Sequence, residues 1–308
     1  MRNRFADTFY ELGKGDPRLA IVVADISPAG SIAKFREEFP DRFINTGVAE
    51  QIMIGMCAGM ALSGMRPFAY TIATFTLYRP FEFVRDDLGY QELPVTIVGI
   101  GGGVTYSTLG GTHHAMEDVA VASAIPSMSV IAPCDPLETE LATRWCAQEN
   151  ESGPVYLRLG KAGEPVVTDK AVDPFVPGRL RYIRKGRDVC ILVYGPTVKH
   201  ALALADRIEA ERGQSVSVVS CHTVKPLDLE GVAKALKDHA HVVVMEEHVP
   251  HGGLGSRVKE IAWDERADCV FDHFSLKDKF IHAYGNHDQV LAAHDFTPER
   301  FFERLSAA

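Results

Sequence analysis

Three short segments of this chain carry side chains suited to acid–base and ring-binding chemistry. The first, Thr46-Gly47-Val48-Ala49-Glu50-Gln51, opens an apolar run rich in small residues, which puts Glu50 at the start of a buried helix. A buried carboxyl is costly unless it keeps its proton or meets a matching charge. We read Glu50 as keeping its proton; the structural alternative is a helix-start acid favoured by the helix dipole by about 0.3–1 kcal/mol. In the second segment Phe75, Tyr78 and Phe81 share one side of a helix or tight turn. They form either a core stripe or a platform for a flat heteroaromatic ring. The third, Gly110-Gly111-Thr112-His113-His114-Ala115-Met116-Glu117-Asp118, sets Thr112 to cap a helix with two histidines at its opening. His113 titrates near neutrality and suits proton transfer beside a reacting carbonyl or hydroxyl; a surface histidine pair is the alternative. Metal binding through His113 and Glu117 lacks both the usual spacing and further ligands, so no metal is assigned to this chain.

Alternating strands and helices must position these residues. Strand-like runs are expected at Ala20–Ala24, Phe43–Asn45, Val95–Ile100, Val130–Pro133 and Val155–Leu159. Helical patterns fall at Arg4–Leu12, Ala49–Leu62, Arg79–Gly89, Ala115–Ala124 and Leu137–Glu149. A proline- and glycine-rich stretch then interrupts the alternation, which restarts with strands at Val189–Tyr194, Val216–Ser220 and His241–Met245 and helices at His200–Glu211 and Leu229–Asp238. The fold class is α/β, with two parallel-sheet, three-layer domains: residues 1–165, a linker over 166–185, and residues 186–308. Gly252-Gly253-Leu254-Gly255 does not have phosphate-loop spacing and is expected to be a strand-to-helix turn.

Bulk properties narrow the function. With 308 residues, 46% of them apolar, the chain is of ordinary globular composition. A net charge of −9 and the lack of a basic stripe argue against nucleic-acid binding. The longest apolar stretch, Val48 to Ser63, is short and contains Glu50, so no membrane span is expected. Met1-Arg2-Asn3-Arg4 leads into Phe5-Ala6-Asp7 and not into a secretory apolar region, which points to the cytoplasm. Six scattered cysteines without C-x-x-C pairs fit reduced thiols, mostly small core residues.

In combination the motifs resemble the transketolase family. Residues 43–161 are similar to its pyrimidine-binding half through Asn45-to-Gln51, the Tyr70-to-Arg85 aromatic segment, Gly111-to-Asp118 and Gly153-to-Leu159. Residues 186–308 are similar to its C-terminal domain through Val224-Lys225-Pro226-Leu227-Asp228, Glu246-Glu247-His248 and the following glycines. The resemblance implies thiamine diphosphate as cofactor. Glu50 would hydrogen-bond its aminopyrimidine and favour the tautomer that generates the carbanion. Phe75 or Tyr78 would stack on that ring with Phe81 beside it, and His113 would contact donor oxygens. The carbon chemistry belongs to the cofactor.

The family's Gly-Asp-Gly stretch, which holds a divalent cation on the diphosphate, does not occur here; Gly15-Asp16-Pro17 is no substitute. The chain begins where a full-length transketolase begins its second domain, so it is expected to be the C-terminal subunit of a split enzyme. A separate N-terminal subunit would supply the diphosphate and Mg2+ ligands, with the cofactor lying between chains of an α2β2 assembly. Gly55, Ala58, Gly59 and Ala61 offer a close-approach surface for such a contact.

Substrate positions depart from the sugar transketolases. Leu109 stands where an acidic residue is usual and Gly101 where a histidine is usual. Lys161 replaces an arginine, Ala29 a phosphate-contacting serine, and Arg2 remains a possible anion contact. Lost hydrogen-bonding groups weaken the preference for polyhydroxylated donors, so a short ketol or acyl unit moving between unusual small-molecule substrates is expected. Rivals are a 2-oxo-acid dehydrogenase beta subunit, a 1-deoxyxylulose-phosphate-synthase-like half, and a non-catalytic binding partner.

Overall fold

The computed structural model describes residues 1–27, 30–151 and 153–305. Its first domain is built on strands β1 (Leu19–Val23), β2 (Phe43–Asn45), β3 (Arg66–Ile72), β4 (Thr96–Ile100), β5 (Ser129–Ile131) and β6 (Val155–Leu159). The second uses β7 (Arg181–Arg184), β8 (Val189–Val193), β9 (Val216–Ser220), β11 (His241–Met245) and β12 (Val270–Phe274). The short β10 (Thr223–Lys225) leaves the second domain's chain to pair antiparallel with β5. Among the described residues the sheet orders are β10-β5-β6-β4-β3-β1-β2 and β12-β11-β8-β9-β7. Both sheets are parallel apart from those crossing or edge strands, since β7 also pairs antiparallel, with β9.

The central strands are buried along their whole length, which is why they read as unbroken apolar runs. β3 escapes the sequence reading because Arg66 and Pro67 open it and Thr71 lies inside it, so it shows neither a uniform run nor clean alternation. Within the stretch expected as linker, β7 pairs with the second sheet. The helix expected from Ala115 begins only at Asp118, because Gly103 and Ala115 bridge across the preceding loop. Arg79–Gly89 is not one helix: Phe81–Phe83 forms a single turn and Val84–Tyr90 a π-helical segment. Five cysteines are buried and Cys269 is half-buried, all of them free thiols. No helix among the described residues is long and apolar enough to cross a membrane.

The two domains share their interior. One apolar cluster runs from Val22 and Ile97 of the first sheet to Val219 and Val244 of the second. Polar groups lock the joint. Arg158 Nε and the Tyr156 hydroxyl both donate to Asp118 Oδ2 at 2.7 Å, and Arg158 Nη2 donates to the Glu247 carbonyl at 3.1 Å. Asp118, Tyr156 and Arg158 are all buried. Removing one member of such a group strands a buried charge. Asp118→Ala is therefore expected to lower the unfolding free energy by about 3–5 kcal/mol, read from urea denaturation.

Candidate active site

The site residues gather where open α/β sheets place ligands, beyond the carboxyl ends of parallel strands. Glu50 follows β2, Phe75 follows β3, the Gly101–Glu117 loop follows β4, and Lys161 follows β6. The turn after β2 is set by Asn45, whose Oδ1 accepts the Gly47 and Asp25 amides at 3.0 and 3.2 Å. Gly47 takes φ +68, which glycine adopts without steric cost. Helix Glu50–Leu62 starts at once, with no side-chain cap, so Glu50 is its first residue and is only 3% exposed.

The carboxyl is not left alone with its proton, as the sequence suggests; Arg79 meets it with a charge. Arg79 Nη1 donates to Glu50 Oε1 at 2.9 Å, and the same guanidinium lies 4.2 Å from the centre of the Phe75 ring. The Phe75 ring meets His113 edge-on at 5.1 Å. Burial, reinforced by the charge of Arg79, holds the His113 imidazole below its ordinary value. Glu50, Phe75, Arg79 and His113 thus form one constellation. Tyr78 and Phe81 pack against the first domain's core. The Tyr78 hydroxyl donates to Glu117 Oε2 at 3.0 Å. Thr112, expected as a helix cap, instead bonds His113 Nδ1 through its hydroxyl at 3.0 Å.

A second group forms around Tyr106. Lys161 Nζ lies 4.8 Å from the centre of its ring, and His113 lies 6.3 Å away, tilted. Burial raises the Tyr106 phenol and the nearby Arg2 charge opposes that rise. Arg2 Nε and the Tyr70 hydroxyl are buried without a partner among the described residues. Gly101, at φ +73, is filled from outside: a Cβ there would fall 2.4 Å from the Tyr106 ring. Leu109 is 48% exposed on the loop, and Ala29 lies outside the described residues. Lys161 also borders a cavity of about 380 Å³ at the domain junction, whose walls include Ser107, Glu164 and His287 but none of Glu50, Phe75 or His113.

The second domain braces the loop that carries His113. Glu247 Oε1 accepts the Val104 amide at 2.7 Å and the His287 ring at 2.9 Å. Tyr284 lies so close to Gly110 that a Cβ there would come within 2.8 Å of its ring. The glycine run is a strand-to-helix turn, as expected, and its anion position is taken by Glu246, which accepts the Leu254 and Gly255 amides at 2.9 Å. Sequence reasoning misses Arg79, Tyr106 and Glu247 as site-forming residues. Arg79 sits inside the aromatic segment, so a charge between stacking residues is the available signal.

Residues 1–163 match the family described as Transketolase, pyrimidine binding domain, and residues 178–300 match Transketolase, C-terminal domain. The chain belongs to the transketolase family. It is 36% identical over 259 residues to one of the two chains of the apulose-4-phosphate transketolase of Phocaeicola vulgatus, covering 84% of this chain and 82% of that one. It is 34% identical over 314 residues to the 6-deoxy-6-sulfo-D-fructose transketolase subunit SqwH of a Clostridium species, covering 98% and 96%. A solved structure described as split gene transketolase, inactive beta4 tetramer, superposes with a TM-score of 0.87 at 32% identity, over 98% of this chain and 95% of that one. The chain also matches 1-deoxy-D-xylulose-5-phosphate synthases, over less than half of their length. Its make-up is that of the C-terminal chain of a split transketolase, a transferase, and the family implies thiamine diphosphate.

The residues present fit one end of that cofactor. Glu50 and Phe75 already hold a flat group that stacks on the ring and donates N–H to the acid. Among the described residues no cluster of three His, Cys, Asp or Glu suits a metal ion.

Two outcomes follow. In a proton-NMR titration His113 is expected to lose its proton below the ordinary histidine value and to move up in Arg79→Met; titration at or above the ordinary value would contradict the geometry. Gly101→His should destabilise by about 1–3 kcal/mol through overpacking, and Tyr106→Ala in the same chain should restore part of that loss in thermal melts.

Proposed function

We propose that this chain supplies the pyrimidine-binding and donor-binding half of a two-chain ketol-transferring enzyme. The observation that carries this reading is the juxtaposition of a buried acid, an aromatic ring and an imidazole that stays neutral at physiological pH, all at the strand ends. Bound thiamine diphosphate would supply the carbon nucleophile that accepts and passes on the ketol unit. Glu50 would hold a proton against the pyrimidine, Phe75 would carry its face, and His113, uncharged near neutrality, would exchange a proton with donor oxygens. An N-terminal subunit with a Gly-Asp-Gly stretch would hold the diphosphate and Mg2+, most simply in an α2β2 assembly in the cytoplasm.

Two features support the partner and the donor class. Val48, Ile52 and Leu62 are exposed along the Glu50 helix, where Gly55 and Gly59 face open space, so a second chain can approach its backbone. Arg2 and Lys161 bring two positive charges to Tyr106, suiting a donor with an anionic tail. Two relatives carry the names of such sugars, apulose 4-phosphate and 6-deoxy-6-sulfo-D-fructose. Loss of side chains at Gly101 and change to Leu109 favour donors other than the ordinary pentulose phosphates. A structural role for the chain alone is disfavoured by the retained acid and imidazole.

Reconstitution with the Gly-Asp-Gly subunit, thiamine diphosphate and Mg2+ tests the proposal. Across a panel of phosphorylated and sulfonated ketoses, Glu50→Ala is expected to cut turnover on the order of 10²–10⁴-fold. Unchanged turnover would refute the role of Glu50 and favour a regulatory chain.

A further inference from the structure

We infer that Arg79 is a built-in occupant of the pyrimidine position, which thiamine diphosphate must displace; this rests on the reading above that Glu50 and Phe75 receive the pyrimidine. A guanidinium is flat, cationic and rich in N–H donors, so it can stack on an aromatic face and fork onto a carboxylate. Arg79 stacks and donates at once, at 4.2 Å from the Phe75 ring centre and 2.9 Å from Glu50 Oε1. Those are the two contacts an aminopyrimidine needs. One face of Phe75 and one carboxylate oxygen cannot serve both groups.

The exposure of the partners says which one moves. The Glu50 side chain is 4% exposed and sits on the first turn of a helix, whereas the Arg79 side chain is 45% exposed on a long flexible stem. Arg79 can swing into solvent without unfolding anything. Exchange of one N–H donor for another also keeps the buried acid matched throughout, which avoids the cost of an unpaired buried charge. The occupant must therefore lower the apparent affinity for the cofactor, because only the fraction of sites with Arg79 turned out is competent to bind.

Calorimetric titration of thiamine diphosphate into the reconstituted pair with Mg2+ tests this. Arg79→Met is expected to bind at least about fivefold more tightly than the native pair, with Arg79→Lys in between, since lysine donates but does not stack as a flat fork. Equal or weaker binding by Arg79→Met overturns the inference, weaker binding meaning that Arg79 holds the bound cofactor. Thermal melts check that each variant is folded, and if Arg79→Met does not assemble, Arg79→Lys carries the test with the same sign. Glu50→Ala in the native background separates the two claims. Full activity there would remove the underlying reading, whereas an inactive Glu50→Ala pair with unchanged cofactor affinity in the Arg79 variants would remove only the inference about Arg79.

Discussion

A carboxyl group withdrawn from water at the first turn of a helix is the constraint around which this domain is organised. Desolvation penalises its charge, so some donor must face it at all times. The local chain builds that position with economy. Asn45 ties the end of β2 to the turn, Gly47 supplies the left-handed conformation, and the helix begins before any capping side chain can intervene. What the acid meets then decides what the site can do, and in this structure it meets Arg79.

The second domain contributes by holding the neighbouring loop. The segment between β4 and the Asp118 helix is long and irregular, yet it carries the imidazole. Its backbone needs partners, and Glu247 provides one at Val104 while the Gly103–Ala115 bridge closes the loop on itself. Buried Arg158 joins the strand beneath that loop to both Asp118 and the Glu247 carbonyl. The C-terminal domain is thus structurally continuous with the site, and β10 crossing into the first sheet makes the two halves inseparable.

Much of this is legible in the sequence because buried parallel strands write themselves as apolar runs. Phe43–Asn45, Val155–Leu159, Val216–Ser220 and His241–Met245 fall where their residues predict. The start of the Glu50 helix is legible from its small-residue run. What cannot be read is set by long-range contacts. β3 is hidden by its charged and proline-containing entry, and the start at Asp118 by a bridge between distant residues. The meeting of Arg79 with Glu50 depends on how the segment after β3 folds back over the preceding helix, which no local pattern encodes. Tyr106 likewise takes the space at Gly101 through the path of a loop.

The most direct measurement is a structure of the two-chain complex with thiamine diphosphate and Mg2+ bound. The account predicts the pyrimidine ring stacked on Phe75 and within hydrogen-bond reach of Glu50, about 2.6–3.2 Å, with the Arg79 side chain turned away. A pyrimidine seated elsewhere, with Arg79 still bonded to Glu50, would contradict it.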